Sequence, residues 1–312
     1  LPKAKPTLYA QLLADNPTIL TRTDFSTVFT SNNTGTLYKA NGNLTEGGKD
    51  VYYFAGNAQN NWVKFGKDQD GADLYWRIIR TNEDGGVRLL YIGPDKATTN
   101  AFIKIDGTYM SGGSNTTGIY NSTYNNTMYV GYMYGSTGSL SNNRNNTTSA
   151  PIKTVTDNWY SKTINTKTDG TYTYDKYVSQ TAIYCNDRSG NGYSASGTMY
   201  YGAYRRLIDN KKPSYKCGNN PSGTLYGDNS NLDKFTKSTS TGNGKLTYPI
   251  AQITADEISF AGGVYGQNAP AWYYYNSAGG SAVGSDYWWT MSPFYFDSGD
   301  RAYVFYVRGS SH

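Results

Sequence analysis

Histidine is nearly absent from this 312-residue chain: its one copy is His312, at the last position. Nucleophile-and-base catalysis by the usual histidine-centred arrangements is therefore hard to assemble. Cysteine is almost as scarce, with only Cys185 and Cys217. There is no CxxC pair and no His/Cys cluster at zinc-ligand spacing, and no Gly-rich phosphate loop follows a strand pattern, so neither a zinc centre nor a nucleotide cofactor is expected. No apolar run approaches the ~20 residues that cross a bilayer as a helix, and no leader begins at Leu1-Pro2-Lys3. Charge is sparse too: Lys+Arg 28 against Asp+Glu 23 leaves a net charge of +5 spread along the chain, so nothing forces a nucleic-acid partner. The chain is not expected to be an enzyme.

What the sequence has in quantity is glycine (35) and tyrosine (32), set among Asn, Thr and Ser. This vocabulary suits loop-rich β structure outside the cell. Several Asn-x-Ser/Thr sites (Asn32, Asn43, Asn115, Asn121, Asn125) would accept glycans in a eukaryotic secretory pathway and would mean little in a bacterium. Cys185 and Cys217 sit in polar, turn-rich surroundings, and a disulfide between them is expected, with two free thiols as the alternative. The most basic stretch, Tyr204-Arg205-Arg206 through Lys211-Lys212 to Lys216, reads as a solvated loop, or as a polyanion contact.

Taken in order, residues 7–16 carry Leu8, Leu12 and Leu13 at helical spacing and predict a short helix, followed by an Asn/Thr/Gly-rich connection to Asp50. Strand patterns at 51–55, 62–65, 74–80 and 87–92, with a turn at 82–86, predict an antiparallel meander. The acids of 68–73 begin like a calcium loop but lack its closing Glu, so the segment is read as a turn. Residues 106–149 are low in complexity and predict a long surface excursion, broken by an apolar island at 128–134. Pro151 opens a helix whose inner face carries Ile152, Val155, Trp159 and Ile164. A short strand at 182–185 and a strand at 246–253 follow. Thr254-Ala255-Asp256-Glu257 is then a capping box on a helix ended by Gly262-Gly263.

The most informative stretch is 284–307. Tyr287, Trp288 and Trp289 read as a buried aromatic anchor, and Ala302 to Val307 as a strand; between them Phe294-Tyr295-Phe296-Asp297-Ser298-Gly299-Asp300-Arg301 has no helical or strand period. Large aromatics and Arg mixed with Ser, Gly and Asp make up the vocabulary of recognition surfaces, because such side chains give contact area at modest entropy cost. The other reading is a sheet-edge loop in a Tyr-rich protein. Binding candidates are Phe294, Phe296, Asp297, Asp300, Arg301, Tyr303, Tyr306 and Arg308, with Trp272 and Tyr274 from the nearby Trp272-Tyr273-Tyr274-Tyr275 run. Their aromatics are expected to stand exposed on a rigid support.

The succession Trp76-Arg77-Ile78-Ile79, Leu89-Leu90, Trp159, the strand and helix of 250–263, Trp288-Trp289-Thr290-Met291-Ser292-Pro293 and Ala302-Tyr303-Val304 resembles bacterial C-type lectin-like domains. That α+β fold is shared with formylglycine-generating enzymes and with the variable proteins of diversity-generating retroelements. Thr21-Arg22-Thr23-Asp24-Phe25-Ser26, Asn61-Trp62-Val63-Lys64-Phe65, Cys185-Asn186-Asp187-Arg188 and Tyr201-Gly202-Ala203-Tyr204 look like the pilin-like surface proteins of gut Firmicutes. The resemblance implies an entrance helix and linker over 1–46, following a removed membrane-inserting helix, and a lectin-like ligand-binding domain over 47–312. It implies a cell-surface protein that captures a protein or glycan at a hypervariable C-terminal loop, or alternatively a subunit whose loops contact other copies in a pilus-like filament. The reactive cysteine pair of the enzyme branch and the Glu-Pro-Asn or Gln-Pro-Asp sugar motif have no match here, so neither that activity nor calcium is implied. Family members continue to a final Val-Arg-Pro strand, whereas this chain reads Arg308-Gly309-Ser310-Ser311-His312, which implies a shortened variable region or a foreign tail.

Overall fold

A computed structural model of the chain describes residues 6–31, 34–93, 101–103, 109–111, 120–121, 130–136, 145–189, 197–218, 231–267, 287–298 and 301–308. Helix α1 (Leu8–Asp15) begins where Thr7 accepts a hydrogen bond from the Ala10 N–H, and it buries Leu12. A six-stranded sheet follows, built from β1 (Thr18–Leu20), β2 (Thr36–Ala40), β3 (Val51–Tyr53), β4 (Trp62–Lys67), β5 (Asp73–Thr81) and β6 (Val87–Gly93). β5 organises it: β6 pairs with it between Tyr75 and Thr81 with two shifts of register, while β3 pairs at Arg80 and β4 pairs from Asp73 to Arg77. The strands expected at 51–92 are present, but β3 skips β4 to join β5, so the arrangement departs from a simple meander. β2 pairs antiparallel with β3 and parallel with β1, so the stretch expected to be only a linker before residue 47 supplies two strands. The turn at 82–86 closes as expected, with the Asn82 N–H donating to the Gly86 carbonyl and Gly85 at φ 83°. Asp68 binds its own turn, accepting from the Asp70 and Ala72 N–H groups, so it is spent on backbone.

Three small ladders join β7 (Ala101–Ile103) to β8 (Tyr109–Ser111), β9 (Met133–Tyr134) to β10 (Thr148–Ser149), and β11 (Tyr184–Cys185) to β13 (Lys234–Phe235). A second sheet of three strands has the order β12 (Met199–Tyr200), β14 (Tyr287–Phe296), β15 (Ala302–Arg308). Helix α2 (Pro151–Lys162) starts on Pro151 and buries Val155 and Trp159; the Trp159 ring meets Trp76 edge to face at 5.9 Å. Helix α3 (Gly202–Tyr204) runs into a π-helical turn (Arg205–Asp209), and α4 (Ala255–Ala261) carries the expected capping box and ends at Gly262, φ 123°. Within its described part the chain is thus an α+β protein with several antiparallel sheets.

Two further expectations need correcting. The 246–253 stretch bends at 247–249 and joins no ladder, and Pro249 has no N–H to give; it is held instead by single bonds, such as Leu246 N–H to Thr236 O (3.0 Å) and Met291 N–H to Ile253 O (2.8 Å). The basic stretch from Tyr204 is no solvated loop, since Arg206 is buried. The Cys185–Cys217 disulfide forms as expected, with Cα atoms 5.5 Å apart, and ties β11 to the segment after the π-helical turn.

Candidate functional site

The site grows out of the β14–β15 hairpin. Strand β14 is longer than the sequence suggests: Phe294, Tyr295 and Phe296 lie in it instead of in a loop. The turn is closed by Asp297, whose N–H donates to Arg301 O (3.0 Å) and whose carboxylate accepts the Arg301 N–H (2.9 Å) and the Tyr303 hydroxyl (3.1 Å). An acid expected to contact ligand therefore already shapes the hairpin.

Beneath the hairpin the packing is dense. Thr290, Met291, Ser292 and Pro293 are all buried, a run of four that a regular strand cannot bury on one face; the pairing with β15 shifts between Trp289 and Pro293. The Thr290 hydroxyl donates to Phe305 O (2.8 Å), and the Ser292 hydroxyl accepts the Ala255 N–H (2.9 Å) at the start of α4. The hairpin is thereby fastened to the N-terminus of that helix. Phe296 is 0% exposed and packs among Met199, Tyr201 and Val304, which overturns its expected exposure: a side chain sealed in the core offers no surface to a partner.

Above this layer stands an aromatic array. Tyr295 and Tyr303 stack at 4.8 Å, and Tyr295 lies 6.2 Å from its cross-strand partner Tyr200. Tyr200 meets Tyr204 at 4.4 Å, Tyr204 meets Phe294 at 5.4 Å, and Phe294 meets Tyr265 at 5.5 Å. The Arg205 guanidinium lies 4.7 Å over the Tyr200 ring. Tyr265 and Tyr306 are more than half exposed, Arg301 is exposed, and Phe294, Tyr295, Tyr303, Tyr200 and Tyr204 are half-buried. Partial burial, with Tyr303 and Asp297 nearby, pushes the Tyr295 hydroxyl above its ordinary value. Trp289, expected in the core, is 37% exposed and meets Tyr306 at 6.3 Å.

The structure thus brings Phe294, Asp297, Arg301, Tyr303 and Tyr306 onto one hairpin. Arg308 closes β15, and its side chain, like that of Trp288, lies outside the described residues, as do Trp272, Tyr274, Asp300 and His312. Tyr200, Tyr204, Arg205 and Tyr265 were missed as site residues. Tyr200 and Tyr204 reach the array only through the pairing of β12 with β14, and a two-residue strand leaves no periodic signal in sequence.

The platform is locked by buried charge. Arg206, one residue beyond Arg205, chelates Asp256 with Nε and Nη2 (both 2.8 Å) and reaches Asp187 at 2.5 Å. Burial alone would lower the Arg206 pKa, but Asp256 and Asp187 together hold it above its ordinary value. Arg80 and Arg88 both bind Glu257, at 3.1 and 3.3 Å. Burial would raise the Glu257 carboxyl, yet Arg88, Arg80 and the Thr254 N–H outweigh it and hold it below the usual carboxylate range. These groups surround a polar cavity of about 150 Å³ beside the disulfide, and within it each of the three arginines faces at least one carboxylate. This cluster reads as scaffold. Comparison with protein-family models, with curated proteins and with solved structures finds no match to this chain.

Proposed function

We propose that this chain is a cell-surface binding protein of C-type lectin-like fold that captures a protein or glycan on the aromatic face of the β14–β15 hairpin. The observation that carries the reading is the contrast between the hairpin's sealed lower layer and its half-exposed array of Phe294, Tyr295, Tyr303 and Tyr306, extended by Tyr200 and Tyr204. Exposed aromatics held in place without needing a partner to order them are what tight, low-entropy recognition requires. The disulfide supports an oxidising compartment, and hence display outside the cytoplasm. The test is direct: purified protein is presented to intact bacterial and epithelial cells and to an array of glycans, and the Tyr295→Ala/Tyr303→Ala double variant is compared at equal folded fraction. Loss of at least about tenfold in binding supports the reading, and unchanged binding refutes it.

One feature favours the alternative role in a pilus-like filament. β1, at the edge of the large sheet, exposes all three residues, with Ile19 and Leu20 each nearly half accessible. Apolar edge strands of this kind pair readily with other chains. Concentration-dependent assembly that disappears in Ile19→Lys would identify the filament role.

A further inference from the structure

One arrangement recurs in the described part of the chain: a tyrosine hydroxyl donates to an aspartate carboxylate while a second tyrosine ring lies against the first. Tyr160 donates to Asp175 at 2.6 Å, with Tyr248 stacked at 5.0 Å. Tyr303 donates to Asp297 at 3.1 Å, with Tyr295 stacked at 4.8 Å. Tyr177 donates to Asp169 at 2.6 Å, with Tyr172 edge to face at 6.3 Å. Exposure separates them. Tyr160 is 2% exposed and Tyr295 and Tyr303 are half-buried, whereas Tyr172 and Tyr177 are both more than half exposed.

The exposed pair is set by a turn beyond α2. Thr168 and Thr173 bridge across it, the Asp169 N–H donates to Tyr172 O (3.1 Å), and Asp169 Oδ1 accepts the Thr171 and Tyr172 amides at 2.8 and 2.9 Å. The backbone thus occupies one carboxylate oxygen and leaves Oδ2 for Tyr177, at the length of a charge-assisted O–H···O bond. This bond holds Asp169 below the usual carboxylate range and Tyr177 above the ordinary phenol value. A phenol that loses an electron becomes a strong acid and sheds its proton. A carboxylate already bonded to the hydroxyl takes that proton without rearrangement, so Tyr177 is poised for oxidation. The phenoxyl radical carries unpaired density on the ring carbons beside its oxygen, and two such rings couple there. Exposed side chains change rotamer within nanoseconds, so Tyr172 meets Tyr177 with the advantage of an intramolecular partner.

We propose that Tyr172 and Tyr177 are a site of oxidative cross-linking, joined by a carbon–carbon bond ortho to both hydroxyls when the protein meets hydrogen peroxide and a haem peroxidase. The two rings together give up two electrons and their two hydroxyl protons, which reduce one peroxide to two waters. The bond then forms between two ring carbons, and the hydrogen on each of those carbons moves to oxygen, restoring both phenols. The product is a covalent staple across the turn.

The test treats the full chain, at low concentration, with hydrogen peroxide and a haem peroxidase. Trypsin cuts after Lys176 and so parts the two tyrosines. The inference expects dityrosine fluorescence in monomeric protein and, after reduction and digestion, peptides 168–176 and 177–188 joined and lighter by two hydrogens. Tyr172→Phe, which keeps the ring but cannot form the radical, abolishes that product. Asp169→Asn keeps Oδ1 for the two amides but puts an NH2 group where the proton must go, and slows the coupling by at least about tenfold. Coupling of Tyr295 to Tyr303 lags behind, because those rings are half-buried. Absence of dityrosine, coupling confined to dimers, first coupling at Tyr295 and Tyr303, a product that survives Tyr172→Phe, or an unchanged rate in Asp169→Asn overturns the inference. None of these outcomes depends on what the hairpin binds.

Discussion

The aromatic array and the charge cluster below it are joined through β14 and α4, yet they are built from opposite materials. Tyr204 and Arg205 face the array; Arg206, the next residue, is sealed against Asp187 and Asp256. In the cluster, charge is desolvated and every group is tied to a directional partner, so the geometry is fixed and truncating one member strands the others. In the array, rings touch rings over half-exposed surface, so each is individually dispensable to the fold and available to a partner. The lesson is that a rigid presentation surface need not be rigid by its own contacts. It inherits order from the layer beneath.

The comparison can be broken most severely at Phe296 and Arg206. Phe296→Ala empties a fully buried position and should reduce stability by about 3–5 kcal/mol in urea denaturation. Arg206→Ala leaves Asp187 and Asp256 facing each other uncompensated, with a similar expected loss of about 3–5 kcal/mol. Its neighbour Arg205→Ala gives up a partly exposed Asp209 pair and contacts with the Tyr200 and Tyr204 rings, and should change stability by under about 1 kcal/mol. If the two arginines prove equivalent, the division between scaffold and surface fails.

Removing the Cys185–Cys217 bridge, which spans a sequence separation of 32, should cost about 3–4 kcal/mol on the chain-entropy account. Urea denaturation of the Cys185→Ser/Cys217→Ser variant, measured without reductant, supplies the number. A loss near zero would mean that the charge cluster alone holds this region together.

A graded and smaller effect comes from pH. Glu257 is held below its ordinary carboxylate value when folded, so its ionised form contributes stability that is fully present above the unfolded value of about 4.3 and is lost as pH falls through the lower folded value. Melting temperatures recorded from about pH 6 down to about pH 3 should fall in the native protein. They should fall less steeply in Glu257→Gln, which starts from lower stability because Arg80 and Arg88 lose their counter-charge. Parallel slopes would show that other carboxylates govern the acid limb.

The smallest expected effect sharpens the comparison most. Tyr295→Ala/Tyr303→Ala should lower stability by about 1 kcal/mol or less, since both rings are half-exposed and lean on each other and on neighbouring rings of the array. A loss as large as that of Phe296→Ala would make the array part of the core.

Local signals in the sequence were decisive where neighbouring residues settle the matter among themselves. Thr254 as a helix cap, Pro151 at a helix start, the 82–86 turn and the central strands are readable, because capping, turn closure and strand alternation involve groups only a few residues apart. The concentration of aromatic and small polar residues at 294–303 also marks the hairpin as unusual. The same string could not say which of its rings face outward. Phe294 and Phe296 look alike in sequence, and what separates them is a shift in pairing with β15 and the arrival of β12 from about a hundred positions earlier. Nor could it show that Arg206 is a core residue, because a guanidinium reads as solvated until two carboxylates, one 50 residues away, converge on it. Composition and local pattern determined the central strands, the capped helices and the expectation of the cross-link and of an aromatic surface. Which side chains form that surface, and which charges disappear beneath it, was decided by long-range strand pairing and by the strong penalty on leaving any buried charge without a partner.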